Sequence, residues 1–306
     1  MDLDGDGHAD ILSGSWPGEL YLFRGLGKGK FAPGEQLKDS DGKVIKLGSA
    51  STAFAVDWNG DGKLDLLIGN IEGQVYFVPN EATGKGYAFG KPQLLKVNGE
   101  PIRVSHGDSH PIAVDWEKDG KPGLMVGTGA GSVLWYRNVG TRTEPKLALP
   151  QTLVAESALN KDWNLGLKEG QWGVRAKICV VDWNGDGWPD LLVGDFGTSR
   201  GPEPKLSDAD REAHKKAQQK QAELSRQLGS LFQQRQGLLK GKPGETPEAA
   251  EQRQKELRAL QERIDRMQRE LQETFQTLQR FQAPVQYTGN VWLFLRTPPQ
   301  NGKTSP

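Results

Sequence analysis

The feature that most constrains this chain is a nine-residue pattern, Asp-x-(Asp/Asn)-x-Asp-Gly-x-x-Asp, that recurs along it. It stands at Asp2–Asp10, Asp57–Asp65 and Asp182–Asp190, with a degenerate copy at Asp115–Gly123. Each copy runs into an apolar stretch closed by glycine: Ile11-Leu12-Ser13-Gly14, Leu66-Leu67-Ile68-Gly69, Leu124-Met125-Val126-Gly127 and Leu191-Leu192-Val193-Gly194. In the first three copies another glycine follows four residues later (Gly18, Gly73, Gly131), and an aromatic strand then begins. A unit repeated in this way cannot bury its apolar face alone and must stack on its neighbours. The 39 glycines among 306 residues fit a chain made of many tight turns.

Short strands bounded by Gly and Asp turns at this spacing predict a mainly β fold, a β-propeller of about four blades. The fourth copy lacks its companion glycine, and its second strand arrives only at 287–294. Between these lies a stretch rich in Gln, Glu, Lys, Arg and Leu that contains none of the nine tryptophans. There, Leu257, Leu260, Ile264, Met267, Leu271, Leu278 and Phe281 step by threes and fours, broken at Thr274, which is a heptad seam. Ser207 and Thr246 read as N-caps, Pro247 as a first helical residue, and the Gly/Pro run 241–247 as a turn. The expectation is an inserted antiparallel helical hairpin, or coiled coil, with arms of roughly 50 Å. The predicted boundaries are 1–197 for the blades, 198–284 for the insertion, 285–297 for a return strand and 298–306 for a disordered tail.

The nine-residue loops place hard oxygens on alternate residues of a tight curl, which is what Ca²⁺ prefers. The expected ligands are Asp2, Asp4, Asp6, the His8 carbonyl and Asp10 in the first loop. In the second they are Asp57, Asn59, Asp61, the Lys63 carbonyl and Asp65. In the fourth they are Asp182, Asn184, Asp186, the Trp188 carbonyl and Asp190. The third loop offers Asp115, Glu117 and Asp119, but Gly123 leaves its ninth position empty, so it is expected to be a weak or vacant site. An EF-hand is excluded, because no Glu stands at position 12 and an apolar strand follows instead of a helix.

These loops, each followed by a Leu-Leu-(Ile/Val)-Gly-like run, resemble the FG-GAP/VCBS repeats of integrin α-like calcium-binding β-propellers. The resemblance covers about 1–197 and 285–297. It implies four-stranded blades, Ca²⁺ in the loop between two strands, and an extracellular, periplasmic or cell-surface setting. Met1-Asp2-Leu3-Asp4 is not a signal peptide, and no strand enters the first loop as Ala53–Val56, Ile112–Val114 and Ile178–Val181 enter the others. A fragment, or a shortened reading frame with a leader upstream, is therefore expected; a small ring with meeting termini is the alternative.

Balanced charge, 39 basic against 39 acidic side chains, excludes a nucleic-acid binder, and no apolar run is long enough to span a membrane. His106 and His110 flank Asp108, yet on a loop they read as polar residues without fixed geometry. Cys179, in a strand, is expected to be buried. Trp58, Trp116 and Trp183 share one loop position, which favours packing between blades, while Trp16, Trp163, Trp172 and Trp188 are candidates for an exposed binding face. The function expected is a non-catalytic, calcium-stabilised recognition or adhesion module with a protein or glycan ligand. The alternatives are a carbohydrate-active enzyme or its glycan-binding domain, and an architectural protein that self-associates through the helical arm.

Overall fold

The computed structural model describes residues 1–160, 167–202, 204–240 and 246–297. Trp163, most of the expected interhelical turn and the expected tail 298–306 lie outside the described residues. The chain divides into two compact units, Met1–Ser199 with Tyr287–Pro306, and Arg200–Gln286.

In the first unit every sheet is antiparallel; an acidic loop precedes the first sheet and lies between the first two strands of the second, third and fourth. The first sheet is β1 (Ile11–Ser13), β2 (Tyr21–Phe23) and β3 (Glu35–Gln36). The second is β4 (Thr52–Val56), β5 (Asp65–Gly69), β6 (Val75–Val78) and β7 (Gln93–Leu94), followed by a small hairpin of β8 (Lys96–Val97) and β9 (Glu100–Pro101). The third is β10 (His110–Val114), β11 (Gly123–Gly127), β12 (Val133–Tyr136) and β13 (Gln151–Val154). The fourth holds β14 (Val174–Val181), β15 (Asp190–Arg200), β16 (Val285–Thr288) and β17 (Val291–Phe294), with both β16 and β17 paired to β15. The apolar run after each loop thus becomes a strand, the first of the first sheet and the second of the other three, as the glycine and β-branched pattern predicts.

Strand alternation sends successive side chains to opposite faces, so each apolar run serves two interfaces. Leu66 and Ile68 belong to the core shared with the first sheet, whereas Leu67 belongs to the core shared with the third. Leu124 and Val126 face backwards in the same manner, Met125 forwards. Leu191 and Val193 close the third core against Met125 and Trp135. Each fully buried aliphatic side chain contributes about 1.5–3 kcal/mol. The closing glycines let sheets approach: a Cβ on Gly14, Gly69 or Gly127 would collide with the backbone carbonyl of Ser51, Ser109 or Ala176 in the following sheet.

The expected β-propeller is corrected by this arrangement. The sheets are open and antiparallel, and the three cores join only neighbours: first to second, second to third, third to fourth. Among the described residues no apolar core joins the first sheet to the last, so the faces do not close into a ring, and a calcium-stabilised propeller is not the fold of this chain. The physical reason is that pairwise stacking of faces does not require closure; the local pattern fixes each interface but not the number of sheets.

The second unit is a helical hairpin of α1 (Asp208–Leu239) and α2 (Pro247–Gln279). Ser207 caps α1 in a reciprocal capping box with Asp210, and Thr246 accepts the Ala249 N–H at the head of α2, each cap worth about 1 kcal/mol. Leu224 and Leu231 of α1, with Ile264 and Leu278 of α2, are the buried seam residues. Thr274, the lapse in the heptad pattern, also occupies the seam; it is tolerated there because its hydroxyl donates to the Glu270 carbonyl at 2.7 Å. His214 lies half-buried beside Phe281.

Candidate functional site

Asx turns curl the acidic loops. At position 5, Asp6, Asp61, Asp119 and Asp186 accept the N–H two residues on, at 2.8–3.0 Å. The Asp at position 1 accepts the N–H of the glycine at position 6: Asp2 from Gly7, Asp57 from Gly62, Asp115 from Gly120 and Asp182 from Gly187. That glycine has φ between 79° and 91°, a region glycine enters without steric cost. Position 4 is left-handed as well, at Gly5, Gly60, Gly185 and, with a side chain, Lys118.

Asp2, Asp4 and Asp10 each bring a carboxylate oxygen to within 4.8 Å of one another. Among the described residues, no other set of three acidic, His or Cys side chains converges so closely. Asp6 and the His8 side chain are exposed at the rim of this loop. In the second loop Asp57 Oδ1 is buried without a hydrogen-bond partner, while its Oδ2 meets the Arg142 guanidinium at 3.0 Å. Asn59 is half-buried and Asp61 exposed, and the Lys63 ammonium lies 3.6 Å from Asp61. In the fourth loop Asp182, Asn184 and Asp186 are exposed and Trp188 is half-buried.

The Asp at position 9 has a role that spacing does not reveal. Asp10, Asp65 and Asp190 are buried, and in each one oxygen accepts from the loop's second residue while the other reaches past the next strand. Asp10 accepts from Leu3 at 2.7 Å and Gly25 at 2.8 Å. Asp65 accepts from Trp58 at 3.0 Å, Asn59 at 3.3 Å and Asn80 at 2.7 Å. Asp190 accepts from Trp183 at 3.0 Å and Arg296 at 2.8 Å. Burial pushes the Asp65 carboxyl above the usual carboxylate range, against those N–H donors; in Asp190 the Arg296 N–H leads a lowering. The carboxylate therefore pins its loop to the sheet.

The third loop departs for a visible reason. A Cβ on Gly123 would strike the Trp135 indole and, at 2.7 Å, the Tyr136 carbonyl oxygen, so no carboxylate fits there. Arg296 fills the role of a cation instead. Its guanidinium stacks on Trp116 at 4.6 Å and Trp188 at 4.8 Å, lies 3.7 Å from Glu117 and donates to the Trp116 carbonyl. Lys118 donates to Gly187 at 2.7 Å, tying the third loop to the fourth. Asp119 pairs with Lys121 at 3.1 Å.

His110 and Asp108 turn out to be fixed, contrary to the sequence reading. His110 opens β10, and its Nδ1 accepts the Ile178 N–H at 3.2 Å. Burial, with the nearby Lys177 ammonium, holds its pKa down to about 4. Buried Asp108 accepts from Lys177 at 3.0 Å, with Arg175 at 3.8 Å. These contacts join the third sheet to the fourth and leave His110 neutral near pH 7, a structural use. Cys179 is exposed rather than buried. Trp58 is buried and Trp116 packs on the third core, but Trp183, expected to pack likewise, is 61% exposed.

A groove of about 670 Å³ lies between the first and second sheets, and nothing in the repeat pattern announces it. Tyr87 and Phe89 stack at 5.4 Å along it, and Glu35, Asp39 and Glu81 supply carboxylates. The Tyr87 hydroxyl donates to Glu35 at 2.7 Å, and the Arg24 guanidinium lies 3.5 Å from the same oxygen. Burial first, then Glu35, raises the Tyr87 pKa. Only the fold brings 35–39 and 81–89 together.

An FG-GAP-like repeat is present near the N-terminus, matched over residues 2–68 and again over 57–126. Among solved structures, an Agrocybe aegerita lectin studied for its specific recognition of non-reducing terminal N-acetylglucosamine aligns with a TM-score of 0.37 and 22% identity. The alignment covers 63% of this chain and 46% of the lectin, so the chain spans less than half of the lectin's length. No helix among the described residues is long and apolar enough to cross a membrane.

Proposed function

We propose that this chain is a non-catalytic glycan-binding module. The observation that carries the reading is the groove between the first two sheets. A sugar ring presents an apolar C–H face and a rim of hydroxyls, and the groove offers aromatic surface beside carboxylate acceptors at sugar scale. Glu35 is engaged by the Tyr87 hydroxyl and Arg24, an arrangement suited to holding hydroxyls rather than cycling a proton. On a glycan array the full chain should bind at least one oligosaccharide, and Glu35→Gln and Glu81→Gln should each weaken it about tenfold, the worth of one hydrogen bond to a charged group. A blank array would overturn the reading, and release of reducing ends from the bound glycan would replace it with a hydrolase.

The acidic loops fit a divalent cation, and we assign Ca²⁺ to the first, second and fourth. Support comes from the hard oxygen donors, the convergence of Asp2, Asp4 and Asp10, and the orphaned, buried Asp57 Oδ1. The ion would offset repulsion between carboxylates held close by the curl. Saturating Ca²⁺, at a hundred times its Kd, should add about 2.7 kcal/mol to stability for each loop it occupies. Thermal melts with and without EGTA, with Mg²⁺ as the control, measure this; an unchanged Tm in protein free of metal by mass spectrometry would refute it.

A further inference from the structure

The repeat gives every sheet a backward and a forward face, and among the described residues no apolar core covers the forward face of the fourth sheet. The residue after the first loop Asp shows this most directly. Leu3 and Trp58 are buried at the interfaces with the following sheet and Trp116 packs there, but Trp183 is 61% exposed. The transverse rows agree. Phe54-Leu67-Phe77 and Ile112-Met125-Trp135 are paired across their strands and packed on the next sheet. In the matching row of the fourth sheet, Cys179-Leu192-Leu293, Leu192 is half-buried but both flanking residues are exposed, Leu293 by 40%, and Val291 beside it is 71% exposed.

The glycines give an independent sign. Gly14, Gly69 and Gly127 exist because the next sheet's backbone comes too close for a Cβ. Gly194 occupies the same position, without positive φ, yet the nearest atom to a Cβ there is 3.6 Å away, on its own sheet. Glycine is thus kept where the chain itself gives it no steric reason.

The opposite end carries the complement. On the backward faces of the inner sheets, Leu66 pairs across with Val78 and Ile68 with Tyr76, then Leu124 with Tyr136 and Val126 with Leu134. In the first sheet the corresponding pairs are Ile11 with Phe23 and Ser13 with Tyr21. They lie opposite the Leu12–Leu22 face that packs on the second sheet, and Ile11 is 45% exposed.

We propose that the forward face of the fourth sheet docks the backward face of the first sheet of a second copy of this chain. The three internal interfaces are all of this forward-on-backward kind, and the two terminal faces are one of each. The contact is heterologous: each copy uses both faces, so assembly proceeds by addition unless the geometry closes.

The test uses the full chain in sedimentation velocity across a hundredfold concentration range. Wild type should associate as concentration rises. Leu293→Glu and Ile11→Glu, both at exposed positions, should each be monomeric with an unchanged circular-dichroism melt. Mixed together, the two variants should form a 1:1 dimer and nothing larger, because only one forward and one backward face remain intact. Alkylation of Cys179 should slow at least tenfold in associated wild type, with no slowing in Ile11→Glu alone. A wild-type monomer throughout the range overturns the proposal, as does assembly that survives both substitutions, which would place self-association elsewhere, including on the helical arm.

Discussion

Gly69→Ala should destabilise the protein by about 3 kcal/mol or more, with a Tm drop of roughly 10 °C, while Gly194→Ala, at the same place in the repeat, should leave the Tm within about 1 °C. The contrast follows from surroundings, not residue type. A methyl on Gly69 would meet the Ser109 carbonyl oxygen and the Pro111 Cδ at 2.6 Å, and both belong to the backbone or ring at the start of β10. Neither can swing aside, so the second and third sheets must part, which loosens a core containing Leu67, Leu124 and Val126. A methyl on Gly194 meets no atom closer than 3.6 Å. Calorimetry of both variants at low concentration decides the matter; equal losses would mean that the approach of the next sheet does not set the cost at Gly69.

Asp65→Ala should cost about 4 kcal/mol, more than any other single carboxylate removal in the loops. Three N–H groups, of Trp58, Asn59 and Asn80, converge on its two oxygens in a fully buried position. Removing the acceptor strands them away from water, at about 1–3 kcal/mol for each buried group left unsatisfied. Asn80 is itself buried, and its side-chain oxygen accepts from Ala82 at 3.2 Å and Ala88 at 3.0 Å, so the loop beyond β6 should loosen too. Asp61→Ala, which removes an exposed carboxylate from the same loop, should cost less than about 1 kcal/mol in metal-free protein. Urea denaturation of both variants in EGTA separates the architectural carboxylate from a purely ligating one. Comparable losses would show that position 9 holds nothing beyond the loop.

Much of the local structure was legible because it is written in short-range pattern. Ser207 and Thr246 cap where they should, the apolar runs after each loop are strands, and the heptad seam packs two helices. The error over the propeller arose where range lengthens. Alternation tells Leu66 and Leu67 to face opposite ways, but nothing in either residue sets how many sheets follow or whether the last meets the first. The acidic loops were legible as clusters of oxygen, whereas the division of labour within them was not. Asp10, Asp65 and Asp190 look like the other aspartates in sequence, and only their long-range N–H donors, Gly25, Asn80 and Arg296, distinguish them. Arg296 was invisible for the same reason, since it acts 180 residues from the Trp116 carbonyl it binds. The groove at Tyr87 likewise depends on a contact with Glu35, 52 residues away.

Cores that join only adjacent sheets also shape how this protein comes apart. Its stability behaves as a sum over neighbouring interfaces, and each inner sheet is held on two sides while each terminal sheet is held on one. Opening therefore starts at the ends and travels inward one sheet at a time. Within the sheet unit, the second and third sheets should be the last to exchange their amide protons, and the first and fourth should be the first to admit a protease.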